Sequence, residues 1–356
     1  MRRELTTAAA SAAAAFALAG CGVFGGGADY RLADQLERIP DPREGAETAD
    51  STGGGPFSQP ADESEAGSGQ DLVGVSIRAA NYDRLAELTG EDKPPAPNMN
   101  IGSDESQDGV EAYQDWLRSV HSGAQADYQA EQSTLIRFLD QRWVGAWQEE
   151  LGVHPHDMDQ YVDFWAAPEA NLTLAEMPED PGVEGMLQDD DLVPDGFETG
   201  FEGQTLVSSN GFEDHNTLAP EGATVADDED IMAAAEAIDS EHWYFAAIIT
   251  GVPRWGSGSD LEPLERYSYL GMAFDEVDGE HITRIILVHE EPERAEANAE
   301  SFEQNLADEA YDFIEFRNAD TDGRILTVEV QNDVDRQSLW HMAVTSYDPL
   351  FGYEEN

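Results

Sequence analysis

Hydrophobic and polar positions divide this chain into three parts: a small-residue apolar run over 6–19, a polar, Gly-rich and acidic stretch over 22–70, and a patterned region from 71 onward. In the patterned region Leu72, Val73, Val75 and Ile77 predict a strand, and helical spacing follows over 82–88. Three prolines break the pattern over 91–101. Val110, Tyr113, Trp116, Leu117 and Val120 then recur every three or four residues, as one face of a helix requires. Leu135, Leu139, Trp143 and Trp147 do the same in a segment ending near Gly152. Both aromatic faces read as core packing. Pro155 suits the first turn of a short helix running to Phe164. Residues 171–175 and 205–208 read as strands, with a short helix over 183–187 between them.

The last third is patterned more plainly. Residues 227–238 form an alanine-rich helix with acids in its first turn, where the helix dipole favours them. Residues 243–252 are the most apolar stretch after the leader and predict a central strand. Runs over 267–274 and 281–288 flank Asp278-Gly279, a hairpin signal. A helix over 292–306 follows, and 313–316 pairs with 325–330 across Asp320-Thr321-Asp322-Gly323. A closing helix over 336–345 and a docked apolar tail over 349–353 complete the chain. Strand, helix and strand near 171–208, and again more fully near 243–330, predict an α+β fold. Its two tandem modules, each a small antiparallel sheet packed with helices, occupy 71–225, with a helical insertion, and 226–356. A disordered tether over 21–70, with a short helix possible at 32–38, would carry them clear of whatever holds the N-terminus.

Charge adds a second constraint. The chain has 75 acidic and 18 basic residues, a net charge of −57, and Lys93 is its single lysine. Self-repulsion on this scale opposes compaction in dilute buffer. At about 1 M salt the screening length shrinks to about 3 Å and most of it vanishes. The acids run through the apolar segments as well as the polar stretch, so they read as adaptation to a salty medium with cations as counterions. Capture of calcium by clustered carboxylates is the alternative. Nucleic acid is excluded as a partner, because no basic patch exists to neutralise phosphates.

The leader sets location. Met1-Arg2-Arg3 is a basic start, the apolar run is too short and alanine-rich to span a bilayer, and Leu18-Ala19-Gly20 precede Cys21. This arrangement resembles the lipobox of exported lipoproteins. The resemblance implies removal of residues 1–20 as a signal peptide and attachment of lipid to the Cys21 sulfur. The leader carries a net +1, so the mature chain stands at −58. Cys21 is the chain's one cysteine, so no intrachain disulfide can form. Arg2-Arg3 leaves both the twin-arginine and the general export route open.

Candidate chemistry is sparse. His154, His156 and Asp157 lie within the run His154-Pro155-His156-Asp157-Met158-Asp159 and suit a transition metal by donor type. On a helix starting at Pro155, however, the two imidazoles point apart, and further ligands would have to come from distant sequence. Asp320 and Asp322 resemble a fragment of a calcium loop, but strand residues follow where ligands are needed, so a hairpin turn is the better reading. Asn171-Leu172-Thr173 fits a glycosylation sequon inside a predicted strand. No phosphate-binding loop, dinucleotide fingerprint, nucleophile elbow or zinc-protease motif occurs. No cofactor is expected.

Three ordered elements carry a further resemblance: 151–159, Leu-Gly-x-x-Pro-x-Asp-x-Asp with the strand after it; Ala226-Asp227-Asp228-Glu229-Asp230 opening a helix; and 291–298, from Glu291-Pro292-Glu293 to Ala297-Asn298, following a strand. Together, over about 130–350, they resemble a group of acidic, lipobox-bearing envelope lipoproteins with tandem α+β modules. That group more often has an acid where His154 stands, which speaks against a metal role there. The resemblance implies a location and a fold but no catalytic residue. The expectation is a non-catalytic envelope protein, held to the cell membrane on its outer side, that binds a protein or small-molecule partner. The alternatives are a transporter's solute-binding lipoprotein and, behind it, a metal- or carboxylate-dependent envelope hydrolase.

Overall fold

The computed structural model describes residues 30–42, 74–89 and, with short gaps, 141–353. Five helices lie among the described residues: α1 (Leu32–Leu36), α2 (Tyr82–Thr89), α3 (Gln141–Glu150), α4 (Glu229–Ile238) and α5 (Pro292–Leu306). The strands are β1 (Val75–Asn81), β2 (Gln160–Ala166), β3 (Ala170–Glu176), β4 (Gly185–Met186), β5 (Glu198–Glu202) and β6 (Thr205–Asn210) in the first half. The second half adds β7 (Phe245–Thr250), β8 (Tyr269–Val277), β9 (Glu280–Val288), β10 (Ile314–Asp322) and β11 (Ile325–Asn332). All eleven join one antiparallel sheet in the order β10-β11-β9-β8-β7-β1-β2-β3-β6-β5-β4. The fold is therefore mixed α+β and mostly β. In place of two small sheets there is one, because β1 and β7 pair along the middle, Arg78 opposite Ala247 and Ala79 opposite Ala246.

Helices cover the sheet on both faces. On one, α1 and α4 pack with Ile77, Val162, Phe164, Ile248 and Ile286. On the other, Leu85 of α2, Trp147 of α3 and Phe302 of α5 join Phe245, Leu270, Leu287 and the tail residues Leu350 and Phe351. Cover on both sides explains why the central strands read as nearly continuous apolar runs. β1 is buried at every position, while β11, close to the edge, alternates. Each fully buried Leu, Ile or Phe contributes about 1.5–3 kcal/mol by transfer from water.

The elements expected at 72–77, 82–88, 171–175, 205–208 and 227–238 are found within a few residues, as are the 243–252 strand, the 267–288 hairpin and the docked tail. The helix over 292–306 matches residue for residue, with Pro292 in its first turn. Asp320 and Asp322 sit in the β10–β11 hairpin. Two assignments are corrected. Residues 160–164 belong to strand β2, not to a helix starting at Pro155. Tyr161 and Asp163 face one side, Val162 and Phe164 the other, and both sides are buried. Residues 183–187 likewise form no helix, since Gly185–Met186 pairs with β5 as a short edge strand. Strand β5 was not anticipated. The helix expected at 110–120, positions Leu135 and Leu139, and most of the closing helix at 336–345 fall outside the described residues.

Within the stretch assigned to the tether, residues 30–42 are docked. Leu32, Leu36 and Ile39 are fully buried. Asp41 N–H donates to Ala223 O and Val225 N–H to Ile39 O, at 3.1 and 2.9 Å, tying the segment to the approach of α4.

Candidate functional site

The residues singled out from sequence are not brought together. Cys21, His154 and His156 lie outside the described residues. Asp157 is half-buried in the turn before β2, while Asp320 and Asp322 are exposed on the far hairpin, where Asn318 Nδ2 donates to Asp320. No cluster of three metal-donor side chains occurs among the described residues. Asn171 lies in β3, and Thr173 of the sequon is buried with its hydroxyl on Asp163.

The described cleft of interest, about 480 Å³, lies at the end of the sheet where β1 finishes and β7 begins. Tyr30, Arg31, Asp34, Arg84, Asp239 and Trp243 are among its lining residues. Asp239 caps the C-terminus of α4, and its carboxylate is 1% exposed. It accepts from Leu32 N (3.0 Å), Ala33 N (2.8 Å) and Trp243 Nε1 (3.0 Å), which binds the first turn of α1 to the last turn of α4. Burial pushes its pKa up, against the opposing effect of those three bonds and of Arg31. The Tyr30 ring lies 5.7 Å from the Trp243 ring, closing the same corner.

Opposite, Asn81 Oδ1 accepts from Arg84 N at 3.0 Å and so starts α2. The Arg84 guanidinium forks onto Asp275 at 3.1–3.2 Å and reaches Glu87 at 3.3 Å. Behind the wall, Arg284 donates to Ser240 Oγ (3.3 Å) and His242 O (2.9 Å). Burial lowers its pKa, while Glu241, Asp275, Glu329 and Asp239 raise it. Arg31, Arg84 and Asp239 are thus engaged in contacts that join elements of the fold, and the Ser240 hydroxyl donates to Ala237 O at 2.7 Å. This is the chemistry of a clasp. Among the described residues that line it, no hydrogen bond pairs a nucleophile with a base.

A second polar feature crosses the first half of the sheet. One row of directly paired residues runs Arg78, Asp163, Thr173, Ser208, Thr199 through β1, β2, β3, β6 and β5, all buried. Asp163 accepts from Arg78 at 3.1 Å and from Thr173 at 2.6 Å, and the Ser208 and Thr199 hydroxyls meet at 2.9 Å. Continued into the second half, the same row is Ala247, Met272, Ile285, Val328, Ala319. There α5 packs on it.

A third lies beneath α5. His289, 0% exposed, sets Nδ1 3.0 Å from Arg324 O and Nε2 2.8 Å from Asn298 Nδ2. Asn298 also pairs both ways with the Glu265 backbone, which fixes its amide and makes His289 Nε2 the acceptor. Burial pushes the His289 pKa down, with Arg294 acting in the same direction and the bonds to backbone opposing it.

Sequence reasoning missed all three. A lone Arg and a lone Asp in otherwise apolar strands were the available signal for the first row, and Asp239 directly after an alanine-rich helix was the signal for the clasp. Comparison with protein-family models, with curated proteins and with solved structures finds no match for this chain.

Proposed function

We propose that this chain is a lipid-anchored extracytoplasmic protein, non-catalytic and adapted to high salt, that serves the cell envelope by binding or by structure. The observation that carries this is Leu18-Ala19-Gly20-Cys21 at the end of a basic and then apolar leader, with Cys21 the chain's one cysteine. The structural contacts of Arg84 and Asp239 in the cleft support the non-catalytic part. Replacing Cys21 with Ala tests the reading directly: the protein should move from the membrane fraction to the soluble one. Retention on the membrane would count against it.

The transporter alternative calls for two lobes moving about a hinge. Such a hinge between the halves of this chain would have to break the β1–β7 ladder in the middle of the sheet. A thermal-shift screen against sugars, peptides and ions separates the two, since a solute-binding subunit should respond sharply to one small solute.

The halves themselves read as tandem modules fused edge to edge. β1-β2-β3-β6-β5 and β7-β8-β9-β11-β10 follow the same order, a three-stranded meander and then a hairpin whose second strand pairs back. A helix on the same face precedes each, α1 and α4. Both hairpins turn over two residues with Gly first, Gly203 at φ 60° and Gly323 at φ 57°. The pair Thr199–Ser208 stands to Gly203 as Ala319–Val328 stands to Gly323.

A further inference from the structure

The distance between anchor and body follows from covalent geometry once α1 is seen to be docked. From Cys21 to Val75, where the sheet begins, the chain could reach about 190 Å fully extended. From Cys21 to Tyr30, where the docked segment begins, it can reach no more than about 32 Å. That is less than the width of the sheet, since eleven strands at about 4.8 Å spacing span about 50 Å. It is close to the length of β8, Tyr269–Val277, nine residues at about 3.4 Å each, or about 30 Å. The residues after Asp41 follow the docked segment in sequence, so they add nothing to the reach.

Tyr30 enters at a defined place. Its ring packs on Trp243, just before β7, and α1 is tied to Asp239 at the same corner. Asn81, Gln160, Glu176 and Thr205 mark this end of the sheet in the first half, and the β8–β9 turn marks it in the second. Val277, at that turn and 51% exposed, is the exposed large hydrophobic residue among those described. The β10–β11 turn, with Asp322 and Gly323, lies at the opposite end, level with Val288 and Tyr269.

We propose that the end of the sheet bearing Tyr30, Arg31, His242 and Val277 is the membrane-facing surface, and that its partner is the lipid surface to which Cys21 is attached. The opposite end, with the β10–β11 turn, faces away from the membrane. This rests on the anchor reading at Cys21, and it goes beyond it by fixing which way the body points.

The test uses the full lipidated chain in molar KCl on phosphatidylcholine vesicles that carry a headgroup-linked collisional quencher. The Cys21 sulfur is occupied by lipid, so a fluorophore placed through His242→Cys or Asp322→Cys reports from one end at a time. The label at 242 should lose most of its emission, while the label at 322 should keep nearly the value found on quencher-free vesicles. Equal quenching at the two positions, or stronger quenching at 322, overturns the orientation. Lengthening the link with a long Gly/Ser insertion after Gly27 should abolish the difference. If the difference persists, the body adheres to lipid by itself and the argument from reach fails. If the chain does not float with the vesicles at all, the anchor reading fails first and the orientation falls with it.

Discussion

Arg78 of β1 and Asp163 of β2 face each other across neighbouring strands, 3.1 Å apart, with side chains 8% and 3% exposed. Removing one partner of such a pair leaves the other charge buried and costs about 3–5 kcal/mol, whereas replacing both with apolar residues of similar volume is close to neutral. Asp163→Ala should therefore lower the urea midpoint sharply, and Arg78→Met with Asp163→Leu should recover most of the loss. His289 predicts a pH effect of definite sign. Its folded-state pKa is depressed by burial, so the unfolded chain takes up the proton first. Stability should be complete above about pH 6.5, the ordinary histidine value, and should fall as pH drops below it. In His289→Gln, urea titrations at descending pH should lose that slope while the steeper carboxylate-driven loss at lower pH remains. At this scale the sequence was informative about composition and poor about contacts. Asp163 stands out as a charge in Tyr-Val-Asp-Phe-Trp, but nothing local says that Arg78, eighty-five positions earlier, lies beside it.

Among the elements, α1 is the most informative. It is too short to hold itself as a helix in water, and it exists because Leu32 and Leu36 are buried and Asp239 caps its first turn. Asp239→Ala should release it at a cost of about 1–3 kcal/mol, the penalty for leaving its buried donors unmade. Limited proteolysis should then open new sites within 30–42, and Trp243 fluorescence should shift. The two Gly turns supply a matched pair of variants. Gly203→Ala and Gly323→Ala meet no atom within 4 Å, so backbone conformation alone decides the cost. Each should destabilise by about 1 kcal/mol, and Asn should be tolerated better in both. Unequal costs would argue against equivalence of the two hairpins. Elements with strong local signals were legible, as the 292–306 helix shows with Pro292 at its start. β2 was misread because burial on both faces erases the alternation that marks a strand, and Pro155 then pointed to a helix. β4 is a two-residue strand held by its partner β5, with no local pattern of its own.

For the whole molecule, charge and continuity of the sheet matter together. A chain with a net charge of −57 folds around one sheet whose halves meet at β1 and β7. Repulsion should loosen it in dilute buffer, so the thermal midpoint should climb steeply as KCl approaches the molar range, where the screening length falls to about 3 Å. Millimolar calcium should add little beyond its small contribution to ionic strength if general screening is the cause. A calcium response at that level would favour specific cation capture instead. The α+β class and most strands could be read from the chain. The fusion into one sheet could not, since it depends on pairing between strands far apart in sequence, Arg78 with Ala247. Location and orientation both hang on Cys21. Mass spectrometry of protein taken from its own membrane should find a chain that begins at Cys21, with its mass raised by a diacylglyceryl group and no peptide from residues 1–20. A bare thiol at Cys21, with those residues still attached, would contradict it.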